Sequence, residues 1–133
     1  MAYAKPLPVP SAESKPFWEG CRRHELLVQR CKGCGKRWFP PSALCPECLS
    51  SEWEWAKTSG KGKVFSFVVY HRLYHPGFKD EIPYTVALIE LEEGPRMLSN
   101  VAGDVKAVKC DMPVEIFFED VTEEVSLPKF RAR

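Results

Sequence analysis

At 133 residues and 15.2 kDa, the chain has room for one ordinary domain, or for a small module joined to a barrel of roughly 70 residues, and not for two enzyme domains. With 44% hydrophobic and 28% charged residues, and with eight Phe, four Trp and four Tyr, the composition excludes a chain disordered throughout and predicts an aromatic-rich interior. The net charge of +1 conceals an asymmetry: residues 1–40 carry eight Lys/Arg against three acids, a net +5, and residues 80–124 carry three against twelve, a net −9, so the later stretch lacks the continuous basic surface that a polyanion needs.

Pro6, Pro8 and Pro10 deny residues 1–10 a regular period and predict an extended arm able to lie on a partner. Ser11, followed by Glu13 or Ser14, can cap a helix. Phe17, Trp18, Cys21 and Leu26, interleaved with Arg22, Arg23 and Glu25, then read as a short amphipathic helix to about residue 25, with an apolar face that needs a cover. Residues 1–25 are therefore expected to form an arm and a docking helix. Leu26–Arg30 reads as a strand entering Cys31, and Arg37–Phe39 as the strand leaving that turn, stopped by Pro40 and Pro41; together they make a ribbon over residues 26–50. Beyond a boundary near residue 50, Trp53 and Trp55 alternate with charged residues, and Lys57–Lys63 reads as a flexible polar joint.

From residue 63 the pattern changes to short β runs at Val64–Arg72, Tyr84–Leu91, Met97–Val101, Val114–Glu119 and Val125–Phe130. Turn signals at Pro76-Gly77, Gly94-Pro95, Gly103-Asp104 and Asp111–Pro113 separate them. Five such strands suffice to close a small barrel of the OB type over residues 51–133. The expected class is mainly β: an N-terminal helix, a four-cysteine zinc ribbon and a C-terminal OB-fold β-barrel.

Four of the six cysteines fall into two Cys-x-x-Cys pairs, Cys31/Cys34 and Cys45/Cys48. No run approaches the roughly 18 apolar residues that span a bilayer, and Met1–Pro10 lacks the charged-then-apolar order of a secretory signal. A cytoplasmic location without a membrane partner is expected, and there thiols stay reduced and bind metal rather than form disulfides. Each pair can form a tight turn with both sulfurs inward, giving four-thiolate tetrahedral coordination. Structural zinc is the preferred occupant; iron in the same cage and a redox dithiol pair remain open. Four thiolates leave no open position for substrate, so zinc would fold the ribbon and not catalyse.

Cys21 and Cys110 lack such partners and are expected to pack as small buried apolar residues. His24, His71 and His75 have no Ser, Cys or acid at a recognisable catalytic spacing, although His71 and His75 flank a strand-to-loop exit suited to a binding surface. Phe65, Phe67, Tyr70, Tyr74, Phe78 and Tyr84 could line a channel, but aromatics at alternating strand positions are more often core. Arg22, Arg23, Lys32, Lys36 and Arg37 suit docking or phosphate attraction, against the plainer reading that they solvate the ribbon.

Phe17-Trp18-Glu19-Gly20, Leu27-Val28-Gln29-Arg30-Cys31, Cys34-Gly35, Phe39-Pro40-Pro41, Cys45-Pro46 and Cys48 form a recognisable order. His75-Pro76-Gly77-Phe78, Ile82-Pro83-Tyr84 and Phe118-Glu119-Asp120-Val121 continue it. Over roughly residues 14–131 the chain resembles the zinc-ribbon plus OB-fold proteins associated with acyl-CoA metabolism. The resemblance implies a non-catalytic subunit of an acyl-CoA thiolase (acyltransferase) or aldolase complex, in which a thiolase-fold partner carries the catalytic cysteine or tyrosine and the bound thioester. It also implies structural zinc, a coenzyme A thioester shared with the partner, and contacts to partner or CoA by Phe17, Trp18, Arg22, Arg23, Lys36, Arg37, His75 and Phe78. Three other readings compete. A nucleic-acid-binding zinc-ribbon/OB module would stack bases on aromatics, against the acidic second half. A rubredoxin-like iron site would transfer electrons. An independent acyl-CoA-binding protein or hydrolase would lack a visible nucleophile.

Overall fold

A proline in the first turn and two serines before it set the start of α1 (Lys15–Arg22) in the computed structural model, which describes residues 7–73 and 75–133. Pro6 of the expected arm and Tyr74 of the expected aromatic set lie outside the described residues. The Ser11 N–H donates to Ser14 Oγ at 2.9 Å and the Ser14 N–H to Ser11 Oγ at 3.2 Å, so the serines close a local turn rather than cap the helix amides. The helix ends at Arg22, before the expected residue 25, because the chain folds back: the Glu25 N–H reaches Gly20 O at 2.8 Å, with His24 at φ 61. This is the left-handed arrangement common at helix C-termini.

β1 (Leu27–Cys31) pairs antiparallel with both β2 (Arg37–Trp38) and β3 (Trp53–Lys57). The first sheet therefore runs to Lys57, past the boundary expected near residue 50. Trp53 lies opposite Cys31 and packs on the ribbon's small core, while Trp55 packs on the main one. The stretch expected as a flexible joint is hydrogen-bonded instead. The Thr58 N–H and Oγ1 both donate to Leu26 O, at 2.9 and 3.0 Å, and the Ser59 N–H donates to Glu93 Oε2 at 2.8 Å.

The second sheet contains β4 (Lys61–Tyr70), β5 (Tyr84–Leu91), β6 (Arg96–Ser99), β7 (Pro113–Asp120) and β8 (Ser126–Ala132), antiparallel throughout in the order β6-β5-β4-β7-β8. Along β5 every second residue is buried, the period-2 pattern of a half-buried strand. The sheet curls until its two edges approach: the Ala102 N–H donates to Phe130 O at 2.8 Å and the Phe130 N–H to Asn100 O at 2.9 Å. The result is the expected OB fold, in the form of a curled half-barrel.

Val64, Ile89, Leu91, Val114 and Phe130 fill its interior, and Phe17, Cys21, Leu26 and Val28 belong to the same buried cluster. The cover for α1 is thus this chain's own barrel. Burying each larger apolar side chain contributes about 1.5–3 kcal/mol. Among the described residues no helix is long and apolar enough to cross a membrane.

Candidate metal centre

Two turns of the same design bring the four sulfurs together. In the first, the Cys31 N–H donates to Lys36 O at 2.8 Å and the Gly35 N–H to Cys31 O at 3.1 Å. In the second, the Cys45 N–H donates to Ser50 O and the Leu49 N–H to Cys45 O, both at 2.9 Å. Each turn needs a left-handed residue just after its second cysteine. Gly35 supplies it at φ 79, without a Cβ to clash, whereas the second turn holds Leu49 there at φ 62.

The Sγ atoms of Cys31, Cys34, Cys45 and Cys48 all lie within 4.8 Å of one another, with Cys31–Cys48 at 3.5 Å and Cys34–Cys45 at 3.6 Å. A tetrahedron with zinc–sulfur arms of about 2.3 Å has edges of about 3.8 Å, so the cage fits zinc. All six cysteines are free thiols, Cys31 and Cys45 buried and Cys34 and Cys48 exposed. The Cys34 N–H, 3.4 Å from Cys31 Sγ, draws that thiol down to about 6, and the four touching thiols share their protons unevenly, Cys45 being lowered as well and Cys34 and Cys48 raised. A buried amide clamps the loop between the turns: Gln29 Nε2 donates to Ser42 O at 2.7 Å and the Ser42 N–H donates to Gln29 Oε1 at 2.8 Å.

The remaining predicted residues do not assemble at one place. Phe17 is buried against Trp18 and Phe39, with ring centroids 5.1 and 5.2 Å away, so its ring is committed to the core. Trp18 is half-buried, and Arg22 and Arg23 are exposed at the end of α1. Lys36 and Arg37 are exposed on the ribbon, facing Glu93–Arg96 of the barrel across a groove. His75 Nδ1 accepts from the Gly77 N–H at 2.9 Å, and Phe78 stacks on Tyr84, which stacks on Tyr70. Phe78 and Tyr84 line a separate cavity of about 350 Å³.

The aromatic set is therefore divided: Phe67 packs on the core, and Phe65 is exposed beneath the Arg96 guanidinium. Cys21 is buried as expected, and burial pushes its thiol up to about 12. Cys110 is exposed, contrary to expectation, because it sits in the turn before β7, where Asp111 takes φ 65. Sequence spacing also gave no sign of His24 Nε2 meeting Asp120 Oδ1 at 2.8 Å, with Ser126 Oγ donating to the same oxygen. These residues are too far apart in the chain for any motif to join them.

Residues 18–54 match the description "ChsH2, rubredoxin-like zinc ribbon domain", and residues 55–119 match "ChsH2, C-terminal OB-fold domain". A solved structure, "Ltp2-ChsH2(DUF35) aldolase", superposes with a TM-score of 0.86 at 35% identity, covering 95% of this chain and 98% of that one. The chain belongs to the ChsH2/DUF35 family. A DUF35 domain-containing scaffold protein of Methanocaldococcus jannaschii is 40% identical over 105 residues, 77% of this chain and 73% of its own length. A benzoylsuccinyl-CoA thiolase subunit, BbsA, of Geobacter metallireducens is 32% identical over 110 residues, 83% of this chain and 67% of its own. A probable enoyl-CoA hydratase alpha subunit of Thermomonospora curvata is 35% identical over 128 residues, 96% of this chain, which spans only 40% of that relative. By name, these family members include subunits of aldolase and thiolase complexes in CoA-ester chemistry.

Proposed function

We propose that this chain is a non-catalytic, zinc-binding accessory subunit that docks on a thiolase-like or aldolase enzyme of an acyl-CoA degradation pathway, stabilises it and helps line the channel for the CoA thioester. The observation that carries the reading is the end-to-end match to a ChsH2 chain solved within an aldolase, at 95% and 98% coverage. The metal chemistry supports it: four thiolates saturate a tetrahedral ion, which then holds the ribbon and offers no site to substrate. The surface supports it as well. Phe65, Val68 and Leu98 stand exposed on the second sheet, and Arg22, Arg23 and Arg37 stand exposed on the helix and ribbon; aromatic and arginine side chains dominate interface energetics.

The test is a mild affinity purification of the chain from its native cells, with mass spectrometry of what remains bound. Recovery of a thiolase-fold or aldolase protein in stoichiometric amount is expected, and the acyl-CoA turned over by the recovered complex names the reaction. Recovery of the chain alone, or with nucleic acid, would sink the proposal.

A further inference from the structure

The four cage cysteines differ in their access to solvent. The first of each pair, Cys31 and Cys45, is buried in the ribbon's small core with Trp38, whereas the second, Cys34 and Cys48, stands exposed beside the left-handed residue that closes its turn. Each exposed sulfur touches a buried one of the opposite turn. Cys48 Sγ lies 3.5 Å from Cys31 Sγ, and Cys34 Sγ lies 3.6 Å from Cys45 Sγ. A disulfide requires about 2.05 Å, so each contact has to close by only about 1.5 Å, a small swing for a cysteine side chain. The backbone bonds of the two turns, with the Cys34 N–H on Cys31 Sγ at 3.4 Å, keep the sulfurs at this spacing.

The other two cysteines lack this arrangement. Cys110 is exposed but joins no group of ligating side chains among the described residues, and Cys21 is enclosed in the main core, where burial keeps its thiol protonated. Metal-bound cysteines are thiolates, the form of sulfur that attacks a peroxide. An oxidant arriving from solvent therefore meets Cys34 and Cys48 first. A sulfenic acid formed on either one sits against a second, shielded sulfur, which is how redox sensors pair an attacking cysteine with a resolving one. Each sulfur oxidised in this way also loses the negative charge with which it would hold a metal ion.

We infer that the cage is a peroxide-responsive switch in which Cys34 and Cys48 react and Cys45 and Cys31 resolve them, so that zinc is exchanged for two disulfides between the turns. In each half the exposed thiolate attacks one peroxide oxygen: the O–O bond breaks, a sulfenic acid forms and hydroxide leaves. The buried thiolate then attacks the sulfenic sulfur, the S–O bond breaks, a second hydroxide leaves and the S–S bond forms. Two thiolates thus give up two electrons, and one peroxide becomes two waters once solvent protonates both hydroxides. The bridges join the same two turns that the metal joins, so reduction and added zinc restore the cage. The switch belongs to the ribbon alone and is independent of which enzyme the subunit serves.

The test treats the zinc-loaded full chain, and its Cys110→Ser variant, with hydrogen peroxide. A colorimetric chelator reads zinc set free, dimedone traps sulfenic acids, and peptide mapping without reduction assigns the bridges. Trypsin cutting after Lys32 and Lys36, with Glu-C cutting after Glu47, separates all four cysteines. The expected result is release of about one zinc by about two equivalents of peroxide, equally in both chains. Dimedone should mark Cys34 and Cys48 first, the final bridges should be Cys31–Cys48 and Cys34–Cys45, and zinc uptake should return after thiol reduction. Four outcomes overturn the inference: zinc retained at about tenfold excess peroxide, first adducts on Cys31 or Cys45, bridges confined to Cys31–Cys34 and Cys45–Cys48, or zinc release that disappears in Cys110→Ser.

Discussion

Removing zinc is expected to unfold the segment from Lys32 to Glu52 while leaving the barrel folded. That segment has 21 residues, and ordering its backbone costs about 1–2 kcal/mol per residue, so about 30 kcal/mol in all. Against this cost the ribbon's own core offers Cys31, Trp38 and Cys45 with the half-buried Trp53, and the two indoles contribute about 3–5 kcal/mol each. Seven local hydrogen bonds, namely the four of the cysteine turns, Lys32 N–H to Glu52 O and the two of the Gln29 clamp, contribute about 1 kcal/mol each net. Without metal the ribbon therefore falls short by about 15 kcal/mol, and a structural zinc site supplies about 10–16 kcal/mol. The barrel carries its own buried cluster, so it has no such debt. Hydrogen exchange read by mass spectrometry, before and after chelation or in Cys31→Ser, measures both parts at once. Fast exchange at Cys45–Ser50 with protected β4 and β5 is expected. Continued protection of the cysteine turns in chain shown to be free of zinc would refute the reasoning.

Phe17→Ala should cost about 3–5 kcal/mol in urea unfolding, because the ring is buried between Trp18, Phe39 and the barrel core; a cost below about 1 kcal/mol would mean that α1 is not part of that core. In Gly62→Ala the new Cβ would stand 2.4 Å from Glu90 O on the paired strand, and moving β5 aside should cost about 1–3 kcal/mol or more. Leu49→Gly should stabilise the ribbon by several tenths of a kcal/mol, since it removes about 1–2 kcal/mol of left-handed strain and adds somewhat less unfolded-chain freedom. Destabilisation there, read by chelator competition, would show that the exposed Leu49 side chain has a folding role. Asp120 is held below the usual carboxylate range, by the Ser126 hydroxyl and then by His24. Its contribution is therefore present above the unfolded value of about 3.9 and lost as pH falls through the lower folded value. Asp120→Asn should weaken the chain near neutrality and flatten that acid limb, and an acid limb identical to the wild type would count against the contact.

The metal cage and the barrel strands were legible in the sequence because each rests on a local rule. Cys-x-x-Cys places two sulfurs in one turn whatever surrounds it, and period-2 burial marks β5 from Tyr84 to Leu91. What was not legible depends on contacts between distant residues. Trp53 and Trp55 carry the same alternation whether they open a barrel or edge a ribbon, and only pairing with β1 decides. The face of α1 announced that it needed a cover, but not that the chain's own barrel supplies it. Exposure at Cys110 follows from a left-handed Asp111 that composition does not signal. The groove at Arg37 draws on Glu93 and Arg96, more than fifty residues away in the chain.

One strand ties the ribbon to the barrel. Along β1 and the residue before it the side chains alternate: Gln29 and Cys31 turn toward the ribbon, where one clamps Ser42 and the other joins the sulfur cage, while Leu26 and Val28 enter the barrel core. A rotation of the ribbon about β1 would break the Gln29 clamp or expose Val28, and the Thr58 bonds to Leu26 O pin the strand's other end. Zinc therefore does more than order a loop. By fixing Cys31 it fixes the register of β1, and with it the facing of Arg37 toward Arg96 across the groove. Loss of metal should accordingly release the Gln29 clamp to fast hydrogen exchange and free Arg37 from its place opposite Arg96, while the barrel strands remain protected.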